Sequence, residues 1–147
     1  MKNFVRTVCI ILALVLVLAM PAYAETAIDA RGSIFFGSYG TDLYKASSTS
    51  FEIWFDVDAN AAVMDVLGVS EIIVYRSATG QSPWTEVKTY NMEDYPEMTE
   101  AYSISYINYV TYNNALSGYY YRAYVTFYAK DSRGFGERYV YTEILKM

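Results

Sequence analysis

Histidine is missing from this sequence of 147 residues, and cysteine occurs once, at Cys9. Without histidine, no Ser-His-Asp triad or Cys-His pair can be assembled. Zinc, copper and non-haem iron also lose their usual imidazole and thiolate ligands. Catalysis by two carboxyl groups, as in glycosidases, requires one carboxyl whose pKa is raised. No acid in this sequence lies isolated in an apolar strand interior, the setting that would raise its pKa. We therefore expect a protein that is not an enzyme and has no cofactor.

Basic side chains are also few. Lys and Arg number 11 against 16 Asp and Glu, which gives a net charge of −5, and they form no cluster. An acidic chain is repelled by phosphate backbones and by anionic membrane surfaces. This balance argues against nucleic acid as a partner.

A long apolar run occurs once, at Val8–Met20. Two basic residues precede it, and a proline and Ala22-Tyr23-Ala24 follow it, which is the layout of a secretory signal peptide. As a helix the run would measure about 20 Å against roughly 30 Å of bilayer hydrocarbon, so a membrane anchor is disfavoured. We predict a signal peptide over residues 1–24, cleavage before Glu25, and a secreted, extracellular product.

Cleavage would change the composition of what remains. It removes the only cysteine and two of the 11 bases but no acid, so residues 25–147 carry a net charge of −7 and form no disulfide. The hydrophobic core must then stabilise the fold alone, and the length suits one domain. Export without disulfides fits a bacterial protein. We expect no membrane insertion after cleavage.

Alternation of apolar and polar residues dominates the rest, interrupted by clusters of Gly, Asn, Asp, Ser and Pro. In Ser50–Val57 every second residue is apolar, as in a half-buried antiparallel strand. Asp58–Gly68 breaks the pattern and is compatible with one helical turn around Ala61–Leu67, and Asn91–Glu100 is predicted to be a loop. Strands are predicted at Gly32–Phe36, Asp42–Lys45, Ser50–Val57, Glu71–Ser77, Trp84–Tyr90, Tyr102–Tyr112, Tyr119–Lys130 and Arg138–Leu145.

This spacing of short strands predicts an all-β fold. It favours an immunoglobulin/fibronectin III-like antiparallel sandwich of two sheets and about seven strands. A small β-barrel fits the same spacing and stays open as the alternative.

Two segments carry a resemblance to a known class of module. Ile73–Ser77 followed by Trp84–Val87 resembles the third and fourth strands of fibronectin type III-like modules in bacterial extracellular proteins. Leu116–Val125 resembles their turn and sixth strand. The resemblance implies that Tyr121, three positions after the turn glycine, hydrogen-bonds back to the corner.

The whole layout is also similar to a family of small secreted bacterial proteins of uncharacterised function. The matching segments are Met64–Gly68, the hairpin at Trp84, Asp94-Tyr95-Pro96 and Val125–Ala129. This resemblance implies a fold and a location, and it brings no activity with it.

Tyrosine is abundant, with 17 in the sequence. On the predicted strand Tyr119–Lys130, one set of alternate residues is suited to the core and the other would form an outer row. In a sandwich, Tyr75 and either Tyr139 or Tyr141 would lie beside that row. Tyrosine gives large contact area at low entropic cost, so such a face suits a glycan or a cell-surface protein. The candidate binding residues are Tyr75, Tyr120, Arg122, Tyr124, Tyr128 and Tyr139.

A simpler interpretation remains open for these tyrosines, because tyrosine favours strands in general, whatever the function. For the chain as a whole, the alternative function is a structural subunit of a cell-surface assembly, and a weaker alternative is a secreted inhibitor or toxin. The interpretation that we favour is an extracellular binding or interaction module.

A weak calcium candidate begins at Asp56. Alternating oxygen ligands at Asp56, Asp58 and Asn60 resemble the start of an EF-hand loop, and Asp65 would add a fourth. Alanine occupies the position of the required glycine, however, and leucine that of the final glutamate. The sequence therefore predicts no metal site of that class.

Overall fold

The computed structural model describes residues 34–147. These residues form nine strands and one turn of 3-10 helix, Pro96–Met98. The predicted signal peptide and the predicted strand start at Gly32 lie outside them. The strands are β1 (Phe36–Lys45), β2 (Phe51–Ala59), β3 (Met64–Ser77), β4 (Thr85–Asn91), β5 (Thr99–Ser103), β6 (Ser105–Tyr112), β7 (Tyr120–Asp131), β8 (Gly134–Tyr141) and β9 (Leu145–Lys146).

The strands pair in two antiparallel sheets that pack face to face. The small sheet has the order β1-β2-β6, and the large sheet has the order β4-β3-β7-β8. In the large sheet β5 also pairs with the first part of β3, and β9 pairs with the start of β7. The predicted all-β sandwich is confirmed, and the barrel alternative is wrong because the two sheets remain separate.

The core follows from alternation on the central strand of each sheet. On β2, the four apolar residues of the predicted inward face are each at most 1% exposed: Phe51, Ile53, Phe55 and Val57. On β7, the predicted inward set is completely buried: Tyr121, Ala123, Val125, Phe127 and Ala129. Each of these strands has a partner on both sides, so one face must be covered by the other sheet.

Three rings join the two sheets at one end. The Phe51 ring centroid lies 5.2 Å from that of Tyr112 and 5.1 Å from that of Tyr121. The backbone N–H of Leu116 donates to the Tyr121 hydroxyl over 2.8 Å. The predicted hydrogen bond from Tyr121 to its corner is therefore confirmed, with the hydroxyl as acceptor. The bond satisfies a polar group that would otherwise be buried without a partner.

The first part of the fold corrects the prediction of two short strands. The segment Gly37–Gly40 separates the predicted strands Gly32–Phe36 and Asp42–Lys45, but it lies inside β1. Tyr39 and Gly40 pair with Val57 and Asp56 of β2, and the register shifts only between Phe36 and Ser38. The backbone of β2 offers a continuous ladder, and this pairing overrides the local turn preference of glycine and serine.

The segment Asp58–Gly68 was expected to break the strand pattern and to allow a helical turn. Instead β3 begins at Met64, and the expected turn at Ala61–Leu67 is wrong. Residues 67–69 are all buried, and the register with β7 shifts directly after them, between Val69 and Glu71. A bulge of this kind interrupts the alternation of buried and exposed residues.

The last strands also differ from their predicted bounds. Tyr102–Tyr112 is two strands, because the chain leaves the large sheet after Ser103 and enters the small sheet at Ser105. Residues 99–103 form β5, although the sequence predicted the first of them in the loop Asn91–Glu100 and the last in the strand Tyr102–Tyr112. The predicted strand Arg138–Leu145 ends at Tyr141 as β8, because at Thr142 the side-chain hydroxyl, and not the backbone carbonyl, accepts the 2.9 Å hydrogen bond from the Ala123 N–H. Leu145 belongs to β9.

Candidate binding faces

The outward side of the large sheet collects most of the predicted binding residues. Tyr75 on β3 lies opposite Arg122 on β7. On the other side of β7, Tyr141 lies opposite Tyr124, and Tyr139 opposite Thr126. Alternation and register therefore bring residues from three strands to one surface. We call Tyr75, Trp84, Arg122, Tyr124, Tyr139 and Tyr141 the aromatic face.

Neighbouring rings on the aromatic face are in contact. Tyr124 lies parallel to Tyr139, with centroids 5.9 Å apart and planes at 6°, and lies 4.7 Å from Tyr141. Tyr141 in turn lies 6.4 Å from Tyr75. Tyr139 and Tyr141 are 55% and 49% exposed, and Tyr75 and Tyr124 are half-buried among their neighbours. The face is thus open to solvent along β8.

Arg122 is held by rings on several sides. Its guanidinium carbon lies 4.4 Å from the ring centroids of both Trp84 and Tyr141, and 5.8 Å from that of Tyr75. Its Nε is buried and has no hydrogen-bond partner in the described part of the protein. Cation–π attraction strengthens as water is removed, so these contacts fix the side chain in place.

Tyr120 and Tyr128 lie at the margins of the aromatic face. The loop before β4 packs on the Tyr120 ring so closely that a Cβ at Gly80 would lie 3.0 Å from it. Tyr128 stacks on Phe135 at 5.9 Å, apart from the run of contacting rings. The sequence missed Phe135 and Trp84 as parts of this surface. Phe135 lies between two predicted strands, where alternation gives no signal, and the neighbours of Trp84 depend on pairing between strands.

A hollow of about 540 Å³ adjoins Tyr139 at the edge of the aromatic face. Its polar side chains are three carboxylates, three hydroxyls and one carboxamide, from Glu71, Glu93, Glu137, Ser70, Thr126, Tyr139 and Asn91. The Tyr139 hydroxyl donates to Glu137 Oε2 over 2.8 Å, and this bond, together with burial, raises the pKa of Tyr139. Burial, Tyr141 and Glu71 raise the pKa of Tyr124. Both phenols are therefore neutral at physiological pH.

The small sheet carries a second cluster of rings on its outward side. Trp54 stacks on Tyr109 at 4.8 Å and meets Tyr44 edge-on at 6.4 Å. Glu52 accepts a hydrogen bond of 2.8 Å from the Trp54 indole N–H. A groove of about 370 Å³ lies between Tyr44, Glu52 and Trp54, and we call it the Trp54 groove. Alternation placed Glu52 and Trp54 outward, but nothing in the sequence pointed to Tyr44 or Tyr109 as their neighbours.

The calcium candidates do not gather in one place. Asp56 and Asp58 lie on the outward side of the small sheet, and Asp65 lies on β3 of the large sheet. Asp58 accepts a hydrogen bond of 2.6 Å from Ser38, and bonds from Ser38 and Ser105 lower its pKa. Asn60 follows β2 and donates its backbone N–H to Phe35. Among residues 34–147, no three His, Cys, Asp or Glu side chains are grouped to hold a metal.

Comparison with protein-family models, curated proteins and solved structures finds no significant match for the chain. Within the described residues, no helix has the length and apolar character needed to cross a bilayer.

Proposed function

We propose that the protein is a secreted, non-catalytic binding module and that its aromatic face binds a neutral glycan. One observation carries this proposal: the aromatic face and the acid-lined hollow are adjacent, because Tyr139 contacts Tyr124 on the face and also lines the hollow. Sugars present apolar C–H faces and hydroxyl groups on the same ring. Aromatic rings suit the first and carboxylates the second, so the arrangement matches both.

The charge of the hollow selects among glycans. Glu71, Glu93 and Glu137 would repel an acidic sugar, while each carboxylate accepts hydrogen bonds from neutral sugar hydroxyls. Arg122 is the only base on the aromatic face itself, and its guanidinium is packed between rings. The proposed ligand is for this reason an uncharged oligosaccharide.

The fibronectin type III and immunoglobulin-like assignment belongs to the same proposal. If β5 and β6 count as one strand that changes sheets, the first, second and fifth strands face the third, sixth and seventh. For these six strands the division is the one found in immunoglobulin-type sandwiches, whereas the fourth strand, β4, pairs with the third and does not join the first, second and fifth as in the constant type. The hydrogen bond at Tyr121 supports the assignment, because a tyrosine corner is frequent in that class.

Secretion is tested by the N-terminus of the exported protein. The signal-peptide pattern predicts a mature chain that begins at Glu25. We expect N-terminal sequencing and intact mass of protein recovered from the medium of an expressing bacterium to give residues 25–147. A protein that stays in the membrane with its first residues intact would contradict secretion.

Glycan binding is tested on the exposed edge of the aromatic face. Replacing both Tyr139 and Tyr141 with alanine should weaken binding to any neutral oligosaccharide found on a glycan array at least tenfold, about 1.4 kcal/mol. Both rings are half exposed, so the double variant should keep its fold, which circular dichroism would check. Phenylalanine at both positions should retain most of the ring contact.

The matched control for this test lies on the other sheet. Tyr44→Ala removes an equally exposed tyrosine, 54% exposed, from the opposite surface. It should leave glycan binding unchanged. Equal binding by the control and by the Tyr139/Tyr141 double variant would show that the aromatic face is not the binding site.

A stable monomer in size-exclusion chromatography is also expected, whereas self-assembly through this face would favour a structural subunit.

A further inference from the structure

The Trp54 groove lies on the surface opposite the aromatic face and has a different composition. Register places Tyr44 directly opposite Glu52, and Asp42 directly opposite Trp54, on adjacent strands. Tyr109 lies opposite Trp54 on its other side. Residues distant in sequence thus form one compact block of rings and carboxylates.

The rings of this block contact one another. Tyr109 stacks on one face of the Trp54 indole, with the planes at 24°, while Tyr44 stands at 89° to it. The Trp54 indole N–H is bound to Glu52. Two rings at a right angle and a carboxylate therefore border an open groove without needing to rearrange. Such preorganisation lowers the entropic cost of binding a ligand.

The charge of this surface has one sign. Four acids occupy outward positions of the small sheet: Asp42, Glu52, Asp56 and Asp58. The other outward positions of β1, β2 and β6 that pair in the ladder hold glycine, serine, threonine, isoleucine or aromatic residues, and none holds lysine or arginine. The electron-rich faces of tyrosine and tryptophan add to this negative potential. The surface is complementary to a cation.

We propose that the Trp54 groove binds the quaternary ammonium group of a small molecule. Tyr44 and Trp54 line the groove, and aromatic rings attract a positive charge, as in the aromatic cages that recognise quaternary ammonium ligands. A primary ammonium has three N–H donors to satisfy. The groove offers one carboxylate, and Trp54 already bonds to one of its oxygens. A methylated ammonium has no N–H donors, so it fits the groove better.

Tryptophan fluorescence can observe this site separately. The sequence has two tryptophans, Trp54 on the small sheet and Trp84 on the aromatic face. Trp84→Phe leaves Trp54 as the only indole reporter, and Trp54→Phe leaves Trp84. Titration of the secreted Trp84→Phe protein with choline should change its emission and saturate. Trp54→Phe should show no saturable change.

Two further ligands separate charge from shape. The neutral isostere 3,3-dimethylbutan-1-ol has the size of choline without its charge, and it should bind at least tenfold more weakly. Ethanolamine has the charge without the methyl groups, and it should also bind more weakly than choline. Glu52→Gln and Tyr44→Ala, in the Trp84→Phe background, should each weaken choline binding at least fivefold. Ile107→Ala, on the same surface, is the matched control and should not.

Several outcomes would overturn the proposal. They are the absence of a saturable response in folded Trp84→Phe protein, equal affinity for the neutral isostere, and equal affinity for ethanolamine. A response that persists in Trp54→Phe would move the site to the other sheet. Because the Tyr139/Tyr141 double variant leaves the Trp54 groove intact, loss of glycan binding and loss of choline binding are separate results.

Discussion

Replacing Gly68 with alanine should destabilise the sandwich by at least about 3 kcal/mol, a large share of the 5–15 kcal/mol of a typical domain. Gly68 lies inside β3 with φ at +152°, a conformation that L side chains rarely adopt. A Cβ there would overlap the Met98 carbonyl oxygen and lie 2.7 Å from Cα of Thr99. Both are backbone atoms, so the start of β5 would have to move. Urea unfolding of the two proteins would measure the loss.

Gly118 is the matched control for this prediction. Its φ is also positive, at +82°, but a Cβ there would meet nothing within 4 Å. Gly118→Ala should therefore cost only the backbone strain, roughly 1–2 kcal/mol. Equal losses at the two glycines would mean that the close approach of β5 to Gly68 contributes nothing.

Replacing Phe51 with alanine should cost about 3–5 kcal/mol, the range for buried phenylalanine. The ring is completely buried and lies between Tyr112 of the small sheet and Tyr121 of the large sheet. Its removal leaves a cavity between the sheets and ends two ring contacts, each worth about 0.5–1.5 kcal/mol beyond buried area. Calorimetric or denaturant unfolding would show a lower midpoint.

The control for Phe51 faces solvent on the same sheet. Ile107 is 65% exposed, so Ile107→Ala should change stability by no more than about 0.5 kcal/mol. A loss at Ile107 as large as the loss at Phe51 would contradict the position of the core between the two sheets. The same variant serves as the surface control for choline binding.

Local alternation predicted the strands whose two sides differ most. β2 and β7 are central, with one face in the core and the other toward solvent, so their patterns were readable from the sequence. β1 was divided because Gly37–Gly40 has the composition of a turn, and only pairing with β2 makes it a strand. The start of β3 was missed because its register with β7 is irregular and its other partner, β5, comes more than 30 residues later. These pairings are not local, so no window of sequence contains them.

The candidate binding faces, like the strands, could be predicted only where the signal is local alternation. Alternation along β7 identified Tyr124 as outward, and the proposed sandwich placed Tyr139 beside it. Tyr120 was predicted on the same grounds, but the loop at Gly80 packs on its ring, and loop paths have no periodic signal. The Trp54 groove needs β1 and β2 in register, and Tyr109, which stacks on Trp54, comes from a third strand. Tyr44 and Tyr109 are separated by more than 60 residues.

The location of the two tryptophans on opposite outer surfaces has a consequence for valence. The outward sides of a sandwich point away from each other, so a ligand on one leaves the other free. A single copy of the chain with both proposed sites would be bivalent, and it would link a glycan to a cationic compound without forming a dimer. The amount of cross-linking would then follow the concentration of the monomer, because no dimer is needed. A variant that blocks either surface would abolish cross-linking.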